Sequence, residues 1–204
     1  MRGVIFKTRF FDDAELQQVA MLHVTGIQNG FLSSLGAPFL KTIYAEIGHN
    51  DAGALIIASQ EGKVIGFASG AVSVRPIFSG LLKKNFLMGA LILLPKLLSP
   101  KHLRRILELA AYPHRDTEKK GEAAAELLSI VVANPYRGQG LAQVLFNNLV
   151  AEFKNRNIKK FRIVVGSELL AAQKFYEKMG AVKRRPIEVH AGEKSFEYTY
   201  EQQV

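Results

Sequence analysis

VANPYRGQGLAQ, residues 132–143, joins an apolar run on its N-terminal side to a helical apolar stripe on its C-terminal side. The run Leu127–Ala133 (LLSIVVA) is apolar apart from Ser129, the pattern of a strand buried at the centre of a sheet. Beyond it, Leu141, Val144, Leu145, Leu149 and Phe153 recur along one side of a helix predicted over residues 140–153. Between the two, Asn134-Pro135 turns the chain, and Arg137-Gly138-Gln139-Gly140-Leu141-Ala142-Gln143 opens the helix. The first N–H groups of a helix lack internal partners and stand at the positive end of its dipole, which makes an anion site. Glycine at 138 and 140 lets phosphate oxygens approach the backbone. Ala142 keeps the first turn narrow, and Arg137 adds a positive charge. The three-glycine spacing of a Rossmann loop is absent, and no Gly-Lys-Ser/Thr of a P-loop follows. An ordinary tight turn is the alternative reading of the same residues.

Working outward, Val4–Thr8 is a predicted strand, and Asp12 or Asp13 caps a helix beginning near Ala14. Residues 30–36 (GFLSSLG) read as a turn, and Pro38 opens a second helix with apolar positions Phe39, Leu40, Ile43, Tyr44 and Ile47, ended by residues 48–53. Leu55–Ser59 and Val64–Val74 form a hairpin closed by Glu61-Gly62. After the helix at 140–153, Lys160–Val165 is a buried strand, and Leu169–Met179 is a helix ended by Gly180. Residues 185–192 and 194–200 form a terminal strand pair.

The chain has 204 residues, room for one domain over 1–204 with an insertion at about 76–122. Its 48% apolar content supplies a core. With no cysteine there is no disulfide, thiolate nucleophile or cysteine-bound metal. The first eleven residues do not read as a signal peptide, so a cytoplasmic location is expected. The net charge of +9 suits an anionic partner or a plainly basic surface. No aromatic-rich basic strand motif points to nucleic acid. The histidines, His23, His49, His102, His114 and His190, show no metal-ligand spacing, and no metal is expected.

Arg137-x-x-Gly140-x-Ala142 after Val131-Val132 resembles the acetyl-CoA signature of the GNAT superfamily of N-acetyltransferases. Lys174-Phe175-Tyr176-Glu177-Lys178-Met179-Gly180 is similar to the same family's second conserved helix. The resemblance covers Glu126 to Arg184 closely and the N-terminal part loosely. It implies an α/β (α+β) fold: a mixed, mostly antiparallel central sheet flanked by helices, with a helical insertion between the third and fourth strands. It also implies acetyl-CoA as co-substrate in a V-shaped opening of that sheet. There Leu128–Val132, with Ile130, Val131 and Val132, would pair with the pantetheine arm, and Arg137, Gly138, Gln139, Gly140, Leu141, Ala142 and Gln143 would cradle the pyrophosphate. Two departures stand out: Leu169 replaces an asparagine frequent in the family, and Ala181 replaces a phenylalanine.

In the resembled family the tyrosine matched by Tyr176 points at the coenzyme sulfur, so Tyr176 is the expected acid, protonated at neutral pH. Glu126, beside the apolar strand, is the expected base, its pKa raised by burial, with an ordinary exposed carboxylate as the alternative. Backbone N–H groups near Val131 and Val132 are the expected oxyanion donors. His23 is the histidine closest to the family's acceptor side. The insertion holds an apolar run, Phe86–Leu94, too short to span a bilayer, and basic residues Lys96, Lys101, Arg104, Arg105 and Arg115. It lines the acceptor site, forms a dimer or membrane-surface patch, or seals the core. The expected function is acetyl transfer in a ternary complex to a primary amine of a small molecule, a nucleotide-linked amino sugar being one candidate. Protein lysine or N-terminal acetylation and non-catalytic acyl-CoA sensing are the alternatives. The chain is expected to be a monomer or homodimer.

Overall fold

The computed structural model describes residues 3–28, 30–81, 125–190 and 193–202. The order is β1 (Val4–Lys7), α1 (Asp13–Gly26), α2 (Phe31–Leu35), α3 (Ala37–His49), β2 (Gly53–Gln60), β3 (Lys63–Ala71), α4 (74–81), β4 (Glu126–Val132), a 3-10 turn (Asn134–Tyr136), α5 (Leu141–Asn155), β5 (Lys160–Gly166), α6 (Leu170–Lys178), β6 (Val182–His190) and β7 (Glu193–Glu201).

Local chemistry sets most of these boundaries. Asp12 is the cap of α1: its carboxylate accepts from Glu15 N–H at 2.8 Å, and Glu15 accepts from Asp12 N–H at 2.9 Å. Pro38 sits in the first turn of α3. Glu61 and Gly62 take φ of 52° and 76°, the left-handed pair that a two-residue hairpin demands. Residues 30–36 differ from the turn expected of them. They contain the short helix α2, held by tertiary packing of Leu35, which is 2% exposed. β3 stops at Ala71, not Val74, because 74–81 turn helical and bury Val74 and Ile77. Of the insertion, 76–81 belong to α4. Phe86–Leu94 and the basic residues from Lys96 to Arg115 lie outside the described residues.

The strands form one seven-stranded sheet in the order β1-β2-β3-β4-β5-β7-β6. All neighbours are antiparallel except β4 and β5. This is the expected class, a mixed, mostly antiparallel sheet flanked by helices. One face packs under α5 and α6, where Leu145, Phe146, Leu149 and Phe153 meet Phe161, Ile163 and Val165. The other packs under α1 and α3, where Leu16, Val19, Leu40 and Ile47 meet Ile57, Phe67 and Val131. The small residues of β3 admit α5 closely: a Cβ on Gly70 would stand 2.7 Å from Phe153 Cζ.

Candidate active site

β4 and β5 pair at Glu126↔Arg162 and Leu127↔Ile163. Past Leu127 their paired register ends, while β4 continues to Val132 against β3 alone. Leu128 is a bulge: Gly70 faces Leu127 and Ser69 faces Ser129, with Leu128 unmatched between them. Leu128, Ser129 and Ile130 are consequently half-buried in the middle of an apolar strand. Ala133 N–H donates to Ile65 O on β3. Strand alternation therefore turns the amides of Val132 and Ile130 toward the parted edge, and that of Val131 back to β3. The Val132 carbonyl agrees with this: it accepts Arg137 Nε at 3.0 Å. Of the two amides expected as oxyanion donors, that of Val132 faces the parted edge and that of Val131 faces β3. The Val131 and Val132 side chains are buried on opposite faces of the sheet.

The parted edge leads to the start of α5. Gly140 is its N-cap in the left-handed region, φ 82°, and no side chain caps the helix. The first intrahelical bond runs from Val144 N–H to Gly140 O at 3.2 Å. The N–H groups of Leu141, Ala142 and Gln143 precede it and are the helix's orphan donors. Gly138 also has positive φ, 75°, and a Cβ on either glycine would meet nothing within 4 Å. Space for an anion and donors to bind it therefore coincide. Leu141 presents only its backbone here, since its side chain is core. Gln139 Nε2 donates to Pro135 O at 2.9 Å, so this side chain braces the turn. Arg137 is exposed, with its Nε fixed on Val132.

Tyr176 lies on α6, in the same core cluster as Val132 and Leu141. Its ring packs on Phe146 and Phe175, at 6.3 and 5.2 Å between centroids. Burial pushes its hydroxyl above the ordinary tyrosine value. Leu169 is the N-cap of α6 and half exposed. Gln173 ties α6 to β5 instead, donating to Gly166 O at 3.2 Å and Ser167 O at 2.9 Å.

Glu126 meets an environment other than the one expected of a base. It is buried as anticipated, but Arg162 Nε and Nη2 both donate to its Oε2, at 3.0 and 2.7 Å. Neither side is solvated, with side-chain exposures of 11% for Arg162 and 6% for Glu126. A carboxylate bound this way has given up acceptor capacity that a base would need. The pair spans the first of the two registers that β4 and β5 share, one step before they part, and ties the two strands together below the opening. Arg162 was not singled out in the sequence. Its only signal there is a charge inside the apolar run KFRIVV.

His23 is buried, and burial lowers its imidazole to about 4. Its Nδ1 lies 2.5 Å from Tyr44 Oη. Among the described residues no group of three or more metal-ligating side chains is assembled, and no helix is long and apolar enough to cross a membrane.

A mixed sheet parted between two parallel strands, with an uncapped helix start at the parting, is the framework of an acyltransferase. The chain belongs to the Acetyltransferase (GNAT) family, whose sequence profile matches residues 25–181. It is thus an enzyme that transfers acetyl groups, and acetyl-CoA is the donor its family uses. Solved structures share the fold. A GNAT-family protein from Desulfovibrio desulfuricans aligns with a TM-score of 0.62 at 14% identity over 97% of this chain and 98% of its own. An N-acetyltransferase from Staphylococcus aureus gives 0.61 at 12% identity over 97% and 98%. The ribosomal-protein-S18-alanine N-acetyltransferase of Escherichia coli gives 0.57 at 15% identity over 97% and 93%. No curated protein matches the chain in sequence.

Proposed function

We propose that acetyl-CoA lies along the parted edge of β4, with its pyrophosphate at the start of α5, and that acetyl passes directly to a primary amine of a small molecule. The observation that carries this reading is the two-residue pairing of β4 with β5, which leaves the edge amides of Ile130 and Val132 out of register with β5 beside an uncapped helix. The residues present fit the donor. Val132 and Ile130 offer strand-edge hydrogen bonds to its amide-bearing arm and thioester. The N–H groups of Leu141, Ala142 and Gln143, with Gly138, Gly140 and Arg137 around them, suit its phosphates. Bound acetyl-CoA supplies an activated thioester carbonyl. Ile130 N–H, the edge amide farther from the phosphate end, is placed to stabilise charge on that oxygen, which leaves Val132 N–H for the arm.

Tyr176 is the hydrogen-bond donor to the departing sulfur. An ordinary thiol titrates near ~8.5 and a tyrosine near ~10. Burial widens that gap, so Tyr176 stabilises the thiolate without fully surrendering its proton. Glu126 holds the opening together and takes no proton in this reading. The imidazole of His23 is no base either. Burial holds it at about 4, below the range of any amine it would have to deprotonate. The amine therefore arrives neutral, its first proton lost to solvent, and the proton it sheds as the amide forms also leaves through solvent, from which the released thiolate is protonated.

In this reading the chain works as a single domain in the cytoplasm, on a small amine such as a nucleotide-linked amino sugar. Coenzyme A release is the direct test. Because the chain has no cysteine, every thiol that appears is coenzyme A. The acceptor panel comprises nucleotide-linked and free amino sugars, a peptide with N-terminal alanine and a lysine peptide. Thiol release with an amino sugar supports the reading, and release with a peptide alone replaces its acceptor. Tight acetyl-CoA binding without any release would make the chain a sensor.

A further inference from the structure

Four polar side chains left unused by that reading meet beneath α1 and α3. They are His23, Tyr44, Ser69 and Ser129. Ser129 interrupts the apolar strand β4 two residues past its last pairing with β5, and it is half-buried where its neighbours Val131 and Val132 are buried. Ser69 is its cross-strand partner on β3 and is fully buried. Both serine hydroxyls stand beside the Tyr44 hydroxyl and oppose the upward push that burial gives it. Ser69 Oγ nevertheless has no hydrogen-bond partner among the described residues. On the far side, Tyr44 Oη meets His23 Nδ1 at 2.5 Å, and Phe67 stacks on the imidazole at 6.4 Å and 18°.

The chemistry of these groups sets a direction. His23 rests neutral, so its ring has one acceptor nitrogen. Tyr44 stays protonated and has one proton to give, and Nδ1 is the nitrogen it faces. In the Nε2–H tautomer of His23 that proton goes to Nδ1, and the Tyr44 oxygen is left to accept from a serine. A Ser129 hydroxyl that donates inward to Tyr44 keeps its lone pairs for the open side of β4. On that stretch, 128–132, it is the only polar side chain.

We propose that Ser129 Oγ accepts an N–H of the acceptor amine, and that Tyr44 and His23 are positioning residues that fix the hydroxyl in this orientation. The arrangement selects a neutral amine: one N–H is anchored on Ser129, and the nitrogen lone pair stays free to attack. This rests on the acetyl-CoA reading of the β4 edge.

The test separates the two. Acetyl-CoA binding is measured by calorimetry, and acceptor kinetics by thiol release with whichever panel amine the wild-type enzyme turns over fastest. Ser129→Ala and Tyr44→Phe should lower kcat/KM for the amine at least tenfold, mainly through KM, with acetyl-CoA affinity within twofold of wild type. Ser129→Thr keeps the hydroxyl and should stay within threefold of wild type. His23→Asn offers an amide oxygen to Tyr44 and should do the same, whereas His23→Leu should behave like Tyr44→Phe. A Ser129→Ala enzyme that binds acetyl-CoA normally and keeps kcat/KM within threefold overturns the proposal. So does an equal loss in Ser129→Ala and Ser129→Thr. A wild-type enzyme that does not bind acetyl-CoA, or is inert to the whole panel, overturns the underlying reading.

Discussion

Replacing Glu126 by Gln distinguishes a clamp from a base, because the two roles predict opposite patterns in stability and rate. The carboxylate is buried and takes two hydrogen bonds from Arg162. Removing one member of a buried pair leaves the other charge uncompensated, at a cost of about 3–5 kcal/mol. For a chain of this size that lowers Tm by roughly 6–20 °C. Arg162→Met should do the same from the other side. The double variant Glu126→Leu/Arg162→Met leaves no orphan charge and should recover most of the loss, since apolar replacement of a buried pair is often neutral or stabilising. Urea unfolding of all four proteins gives the comparison. Thiol release at a temperature well below each midpoint, with acetyl-CoA saturating, gives kcat. If Glu126 clamps, kcat of the folded Gln variant stays within a few-fold of wild type. A general base contributes about 10²–10⁴-fold. A Gln variant that keeps its stability within about 1 kcal/mol while losing a hundredfold in kcat would refute the clamp.

Other consequences follow from the same geometry. Tyr176→Phe keeps the ring packed on Phe146 and removes one hydrogen bond to a charged sulfur. Such a bond contributes about 1.5–3 kcal/mol, so kcat should fall roughly 10–100-fold with acetyl-CoA affinity nearly unchanged in calorimetry. Below the pKa of the acceptor, kcat/KM should climb about tenfold per pH unit as neutral amine accumulates. No break from His23 is expected above its value of about 4. Because burial raises Tyr176, its hydroxyl stays protonated and active below pH ~10. A fall in rate between pH 8 and 9, measured with a slowly titrating buffer series, would contradict that assignment. Gly140→Ala places a Cβ in open space but in a left-handed conformation, φ 82°. The strain of about 1–2 kcal/mol should appear in urea melts, together with weaker coenzyme A binding.

What could be read from the sequence was local. The Glu61-Gly62 hairpin, the Asp12 cap and the loop before α5 are each fixed by a few adjacent residues whose backbone demands are visible in their identities. α2 escaped because nothing local requires a helix there. Its five residues are held by burying Leu35. Within the candidate site, the helix-start donors were legible because backbone supplies them, whichever side chains stand nearby. The Glu126–Arg162 clamp was not, since it depends on the parallel register of two strands whose partners lie 36 positions apart. The His23–Tyr44 contact joins two helices 21 positions apart, and amphipathic periodicity says only that both residues face inward. Ser129 did leave a trace, as the single polar residue in an apolar run, but its meaning needed the bulge at Leu128 and the end of pairing with β5.

Strand alternation carries one more implication for the acceptor. On β5, Phe161, Ile163 and Val165 enter the core under α5 and α6, which turns Arg162 to the opposite face. On β7, Tyr198 joins that same core, and Glu197 and Thr199 turn away from it with Arg162. These polar side chains are nonetheless buried. Their charges are matched in place: Arg162 pairs with Glu126, and Arg185 with Glu197 at 3.3 Å. These two pairs leave no net charge among themselves. In the proposed reading, an acceptor approaching Ser129 from this side meets balanced pairs and hydroxyls. Recognition by such a surface rests on hydrogen bonds more than on net charge. An uncharged portion of the acceptor, a sugar ring carrying the amine, suits it better than phosphate does. If a nucleotide-linked amino sugar outcompetes the free sugar in the thiol-release panel, its phosphates must be met by residues beyond this face. Raising the ionic strength should then remove the advantage of the nucleotide while leaving turnover of the free amino sugar in place.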